Sequence, residues 1–225
     1  MFMGKGKIIV LEGMDGCGKS TQLQLIVDAL KEKGLPARLV SFPNYDSDSG
    51  RIIKSYLNGD IPCDGTVGAY AASSFYAADR YISFNTEWKD AYERGDIIFC
   101  GRYTTSNAIY QMTKLESGER DSFLAWLWDH EYNKLGLPKP DKVFFLDMPL
   151  DVSQKLLTMR YNGDETKKDV HERNLEFLKR CRENALYTAE RCGWELIECS
   201  VNGEPLSIDV IHQRILSITE ELIDV

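Results

Sequence analysis

Glu12-Gly13-Met14-Asp15-Gly16-Cys17-Gly18-Lys19-Ser20-Thr21 is the stretch on which the reading of this chain turns. Gly13 to Ser20 match G-x-x-x-x-G-K-[ST], with the apolar run Ile8–Leu11 before them and a helical pattern, Gln22 to Lys33, behind. Strand, glycine-rich loop and helix in that order is the setting in which this pattern cradles phosphates. The glycines let successive backbone N–H groups turn inward on phosphate oxygens, with a helix N-terminus behind them. The alternative is an ordinary strand-to-helix turn that happens to be glycine-rich, and chance gives such a string in roughly one chain of this length in a hundred. The motif assigns Gly13, Asp15, Gly16, Cys17, Gly18, Lys19, Ser20 and Thr21 to a nucleoside triphosphate. Lys19 would reach the β- and γ-phosphates, and the Ser20 hydroxyl would ligate Mg²⁺.

Outward from the loop, apolar runs recur at Ile8–Leu11, Arg38–Phe42, Asp96–Cys100, Val143–Leu146 and Glu195–Cys199. Helical patterns alternate with them: Lys19–Lys33, Ser49–Asn58, Thr66–Arg94 (bent), Thr105–Met112, Arg120–Lys134, Leu150–Arg160, Val170–Arg191 and Ser207–Ile223. This alternation predicts an α/β fold of the P-loop NTPase kind, a five-stranded parallel sheet flanked by helices. No boundary reads as a linker, so residues 1–225 are expected to form a single domain. The polar segment at about 160–170 reads either as a solvated connector or as a lid over phosphates. In it, Asp169 and Glu172 have the spacing of a capping box, which leaves His171 on the surface.

A net charge of −8 and a pI near 5.0 argue against a nucleic-acid polymer as partner, which would demand a basic surface. A small phosphorylated ligand needs only a local positive pocket. The six cysteines lack C-x-x-C spacing, so neither zinc nor a disulfide framework is expected, and a reducing cytoplasm is. No segment approaches 18 apolar residues and Met1 to Lys7 lacks a signal-type stretch, so no membrane partner is expected.

A phosphate loop does not by itself choose an activity. The N-K-x-D of guanine-binding switches is missing, as is the Asp-Glu strand end of motor ATPases. Downstream stand Arg80, Arg102 with Tyr103, and Arg160 instead. Arginine suits a two-point grip on phosphate. A donor loop with separate arginines for an acceptor points to phosphoryl transfer between nucleotides.

At this point the residues carry a resemblance. Besides the phosphate loop there are Ser41-Phe42-Pro43, Tyr76-Ala77-Ala78-Asp79-Arg80, and Arg102-Tyr103-x-x-Ser106-x-x-x-Tyr110-Gln111, then Pro140-Asp141 leading to Leu146-Asp147-x-Pro149. In this order and spacing, from Lys7 to about Ile215, the chain resembles the bacterial thymidylate kinases. The resemblance implies transfer of the γ-phosphoryl of ATP to dTMP, with Mg²⁺, in a homodimer. It implies that Asp15 accepts from the deoxyribose 3′-OH, although Asp also serves as a turn residue. Phe42 and Pro43 would wall the monophosphate site, with Phe42 alternatively core. Tyr76 would stack on thymine, and Arg80, one helical turn on, would bond its carbonyl unless it is a solvated helix charge. Arg102 would hold the dTMP phosphate. Tyr103, Ser106, Tyr110 and Gln111 would line the base and sugar side, with a helix cap the alternative for Ser106 and core for Tyr110. Gly16 stands where some members carry Arg, which implies the lid-arginine type, with Arg160 supplying the charge beside Lys167 and Lys168. Lys19, Arg102 and Arg160 are thus the expected catalytic set. Ser200 to Leu206 would meet adenine.

Two departures qualify the resemblance. The family commonly has Asp-Arg-Tyr at the third strand's end, where this chain has Gly101-Arg102-Tyr103. A carboxylate near Mg²⁺ is therefore missing, which implies a slower kinase or, alternatively, an impaired nucleotide-binding regulator. A kinase for another nucleoside monophosphate is the third reading. Tyr45 stands where relatives often have Arg, so the acceptor phosphate would rest mainly on Arg102, with Arg51 a candidate substitute.

Overall fold

In the computed structural model, which describes residues 5–61, 66–164 and 174–224, the run expected at Ile8–Leu11 is strand β1, Lys7–Gly13, in the middle of a parallel sheet. Its companions are β2 (Ala37–Ser41), β3 (Ile97–Gly101), β4 (Lys142–Asp147) and β5 (Glu195–Glu198), ordered β2-β3-β1-β4-β5. All five lie within two residues of the expected runs. The register pairs Leu11 with Gly101 on one side and Leu11 with Phe144 on the other.

Alternation along the strands builds two cores. Ile8 and Val10 join Ile98, Cys100 and Phe145 on one face, while Ile9 and Leu11 join Phe99, Phe144 and Leu146 on the other. The four β1 side chains are fully buried, worth about 1.5–3 kcal/mol each. The α-helices among the described residues are α1 (Lys19–Glu32), α2 (Asp48–Asn58), α3 (Ala69–Ser83), α4 (Lys89–Glu93), α5 (Thr104–Tyr110), α6 (Arg120–Trp128), α7 (Leu150–Arg160), α8 (Leu175–Cys192) and α9 (Ile208–Leu222). Leu23, Ile26 and Leu30 of α1 close the second face with Val152 of α7 and Ile215 of α9. Ile109 of α5 and Leu178, Cys181 and Ala185 of α8 close the first. Because β3 and β4 flank β1 on opposite sides, the loops leaving the carboxyl ends of β1 and β3 open a crevice, where ligands of such sheets bind.

The differences from expectation have local causes. The long bent helix of 66–94 is broken by a wide π-turn, Phe84–Trp88, whose end rings pack edge to face at 4.6 Å. The run 120–134 likewise turns from α-helix to π-turn at Asp129–Lys134, which carries Glu131 into the interior. The helix expected from Val170 begins at Leu175, capped by Asn174, whose side chain accepts from Phe177 N. Ser200–Leu206 contains a small hairpin, Ser200–Val201 with Glu204–Pro205, around Asn202-Gly203 with both φ positive (50° and 78°). Asn-Gly is the dipeptide such a turn prefers. Lys167, Lys168, Asp169, His171 and Glu172 lie outside the described residues. Among the described residues no helix is long and apolar enough to cross a membrane.

Candidate functional site

Two cavities open at the carboxyl ends of β1, β2 and β3. The first, a cleft of about 450 Å³, is floored by the glycine-rich loop. Gly16 and Gly18 have φ of 83° and 88°, a region that L side chains avoid. A Cβ on Gly16 would sit 2.7 Å from the Ser153 carbonyl oxygen and 2.8 Å from Leu157 Cγ, so α7 packs directly on the loop. Lys19 Nζ folds back to donate to the carbonyls of Gly13 (2.8 Å) and Met14 (3.4 Å). Asp15, Gly16, Cys17, Gly18, Lys19, Ser20 and Thr21 line the cleft; Gly13 does not, and serves through its carbonyl. Arg160, exposed at the end of α7, and Arg102 face it too. Three cations thus meet one carboxylate, Asp15, in the cleft. Burial pushes the Cys17 thiol up, so this loop cysteine stays protonated.

The second cavity, about 280 Å³, is walled by aromatic rings: Phe42, Tyr45, Tyr56, Tyr76, Tyr110 and Phe177. Phe42 and Pro43 are joined by a cis peptide and both line it. Tyr76 meets Tyr56 edge to face at 6.2 Å, and burial pushes its phenol up and keeps it neutral. Asp79, buried on α3, holds the segment after Pro43 by accepting from Asn44 N (3.0 Å) and Ser49 Oγ (2.6 Å). Ser106, Tyr110 and Gln111 also line the cavity, and Gln111 Oε1 is buried with no hydrogen-bond partner. An unpaired buried acceptor is costly unless a ligand donates to it.

Asp15, Phe42 and Arg102 belong to both cavities. Arg102 Nη2 donates to Asp15 Oδ1 at 2.8 Å, and its guanidinium lies 4.8 Å from the Tyr110 ring centre. Its φ is 70°, the left-handed region, which turns the chain sharply after β3. Glu12, fully buried, fixes that turn: it accepts from Tyr103 N (3.3 Å), Thr105 Oγ1 (2.7 Å) and Ser106 Oγ (2.8 Å).

Two expectations are corrected, and one alternative is set aside. Tyr103 does not line the base side: it is fully buried, with its hydroxyl on the Pro138 carbonyl at 3.0 Å and its ring against Phe42. The physical reason is the turn at Arg102, after which the next side chain faces inward. Arg51 is not at the acceptor cavity; it is exposed and paired with Asp48 at 2.7 Å. Arg80 is no solvated helix charge, being 2 % exposed and clamped by Glu131. Burial opposes its charge, and the Glu131 carboxylate overcomes that and holds the guanidinium above its ordinary pKa. Sequence reasoning missed Glu131, Asn107, Tyr56, Lys114 and Phe177. Asn107 sits within the Ser106–Tyr110 segment and Lys114 three residues beyond Gln111, so both were within reach; Tyr56, Glu131 and Phe177 lie outside every motif.

Comparisons with known proteins bear on the family and the fold. The family model described as thymidylate kinase matches residues 11–215. A probable thymidylate kinase of Thermococcus gammatolerans is 32 % identical over 220 residues, covering 96 % of this chain and 97 % of the relative. One of Pyrococcus abyssi is 29 % identical over 217 residues, again covering 96 % and 97 %. The thymidylate kinase of Mycobacterium tuberculosis is 30 % identical over 176 residues, 77 % of this chain and 81 % of the relative. A solved thymidylate kinase structure from Candida albicans superposes with a TM-score of 0.69 at 21 % identity, over 96 % of this chain and 92 % of that one. That likeness shows the fold alone.

Proposed function

The chain belongs to the thymidylate kinase family, enzymes that phosphorylate dTMP to dTDP, and from that premise we propose how its two cavities divide the reaction. ATP phosphates occupy the glycine-rich cleft and dTMP the aromatic cavity. The observation that carries this assignment is the shared wall: Arg102 lines both spaces, so a donor γ-phosphoryl and an acceptor phosphate would meet at one guanidinium.

Phosphoryl transfer asks chiefly for alignment and charge neutralisation. Lys19 leaves the Gly13 and Met14 carbonyls to meet the β- and γ-phosphates. Arg102 grips the dTMP phosphate, oriented by Asp15 and the Tyr110 ring. Asp15 also offers a carboxylate oxygen to the sugar 3′-OH. Tyr76 and Phe42 sandwich the base, and Arg80 donates to its carbonyl. Arg160 neutralises charge on the transferring group.

The donor set fits Mg²⁺. Among the described residues no three His, Cys, Asp or Glu side chains converge as a metal cage. Mg²⁺ held with a nucleotide draws most of its ligands from phosphates and water, and Ser20 would add its hydroxyl. Once bound, the ion neutralises phosphate charge.

We assign the chain to the lid-arginine type, supported by Gly16, where α7 leaves no room for a side chain. A homodimer is proposed on the resemblance, with exposed Tyr70, Tyr81 and Ile82 of α3 as apolar surface in support. A single domain in the cytoplasm completes the proposal.

The test is ADP release from Mg–ATP with dTMP, dUMP, CMP, AMP or GMP as acceptor. The expected result is a rate with dTMP far above the rest, abolished by Lys19→Ala in a protein that stays folded. Binding of ATP with no transfer to any acceptor would favour the regulator reading suggested by Gly101.

A further inference from the structure

We propose that Glu131 is a positioning residue that decides which hydrogen-bonding edge of a pyrimidine the acceptor cavity takes, by fixing Arg80 and Asn107 at once. The inference rests on reading that cavity as the nucleoside monophosphate site. Glu131 is 0 % exposed and reaches the cavity wall from the π-turn after α6. Its Oε2 accepts from Arg80 Nε (2.7 Å) and Thr104 Oγ1 (2.7 Å). Its Oε1 accepts from Arg80 Nη2 (2.5 Å) and Asn107 Nδ2 (3.3 Å).

The clamp takes up the Nε–Nη2 edge of the guanidinium. Nη1, which touches the Tyr103 carbonyl at 3.4 Å, is the nitrogen left for the cavity that Arg80 lines. Asn107 is fixed by a separate argument. Its Nδ2 faces Glu131 and the Ser73 carbonyl (3.3 Å), and both of these can only accept. The amide therefore cannot be turned round: nitrogen must face them, and oxygen is left for the cavity that Asn107 also lines. The wall presents a held donor and a held acceptor.

A keto pyrimidine offers the complement, a C4 carbonyl beside an N3–H. An amino pyrimidine offers the reverse, an amino donor beside a bare N3. Presented with it, both wall groups would face their own kind and lose their partners, the situation in which buried polar sites discriminate most strongly. Glutamine at position 131 would break this logic. Its carboxamide has one oxygen and one NH₂, so it cannot accept at both points of the clamp. An NH₂ turned towards Asn107 would invite the amide to flip and present a donor.

The experiment compares kcat/KM for dUMP with kcat/KM for dCMP, two acceptors without the 5-methyl that differ only at the C4–N3 edge. Within one preparation their ratio is independent of the fraction of active protein. In the unaltered chain the ratio is expected to be on the order of 10⁴. Glu131→Gln should lower it at least tenfold, beyond any common loss for dTMP, dUMP and dCMP. Glu131→Asp keeps a carboxylate against Arg80 but draws it back from Asn107, and should lower the ratio at least threefold if the glutamine variant does not fold. A ratio unchanged in either folded variant, with all three acceptors falling together, would overturn the proposal and leave Glu131 a merely structural residue. An unaltered chain that transfers to neither dTMP nor dUMP would overturn the reading of the cavity, and this inference with it.

Discussion

Arg102 and Arg80 face one cavity and should answer removal in opposite ways. Arg102 holds φ at 70°, where a residue with a Cβ is strained by about 1–2 kcal/mol. Arg102→Gly relieves that strain. Against it stand glycine's greater freedom in the unfolded chain, about 0.5–1 kcal/mol, and the lost ion pair to Asp15. The paired side chains are 24 % and 29 % exposed, so their contact is worth only about 0–1 kcal/mol. These terms cancel to within about 1 kcal/mol, a change in Tm of no more than about 2–4 °C for a chain this long. Activity should behave otherwise. Among the described residues Arg102 is the cation common to both cavities, and loss of such a donor costs about 10²–10³ in kcat.

Arg80→Met is the counterpart. It leaves Glu131 buried without its cation, a loss of about 3–5 kcal/mol and roughly 6–20 °C in Tm. Thermal melts of both variants, with ADP release at saturating ATP, separate the roles. If Arg102→Gly melts far below the unaltered protein, its strain has been misjudged and the residue is structural. If it keeps more than about a tenth of the rate, Arg102 does not hold the transferring group.

Gly101→Asp should raise turnover about tenfold by restoring a carboxylate beside the phosphates, at a stability loss of about 1 kcal/mol. Its Cβ would meet Leu23 Cδ1 at 2.9 Å, a methyl that can swing aside; an unchanged or lower steady-state rate would sink the idea. Gly16→Ala should destabilise the loop by more than about 2 kcal/mol and raise the KM for ATP, because φ is 83° and the clash is with the Ser153 backbone. A melt and an ATP titration matching the unaltered protein would show that α7 yields there. Burial pushes the thiols of Cys181 and Cys199 up to about 12, so at pH 8 only about 10⁻⁴ of each is thiolate. Brief iodoacetamide treatment followed by peptide mapping should label exposed Cys192 well ahead of both, and equal labelling would count against the burial of Cys181 and Cys199.

Much of this molecule was legible because it is local. The glycine-rich loop needs eight consecutive residues, Gly13 to Ser20, and its phosphate chemistry follows from backbone N–H groups that any reader of the pattern can count. The strands were legible because each is a short apolar run between helical patterns. Helix interruptions were not. The π-turns at Phe84–Trp88 and Asp129–Lys134 answer to packing of Trp88 and burial of Glu131, which periodicity does not encode. The Asn202-Gly203 hairpin has a local signal as well, since Asn-Gly is the dipeptide such a turn prefers.

Motif membership proved a weaker guide than geometry at Arg102-Tyr103. A linear motif gives both residues the same standing, yet the backbone sends them to different places. The left-handed turn holds Arg102 over the two cavities, and the extended residue that follows drives Tyr103 into the core to seal against Pro138 and Phe42. What holds that turn is Glu12, and what holds the base wall is Glu131, two carboxylates that stand behind the lining residues and line neither cavity themselves. Arg80 and Glu131 are 51 positions apart. No spacing rule joins them, because their meeting depends on where α3 and the turn after α6 are packed. A buried carboxylate with several donors is therefore the feature to search for when a site is only half explained by its motifs. Its cost in burial is offset by the cation and the hydrogen-bond donors packed against it, and those same bonds fix the groups that make them.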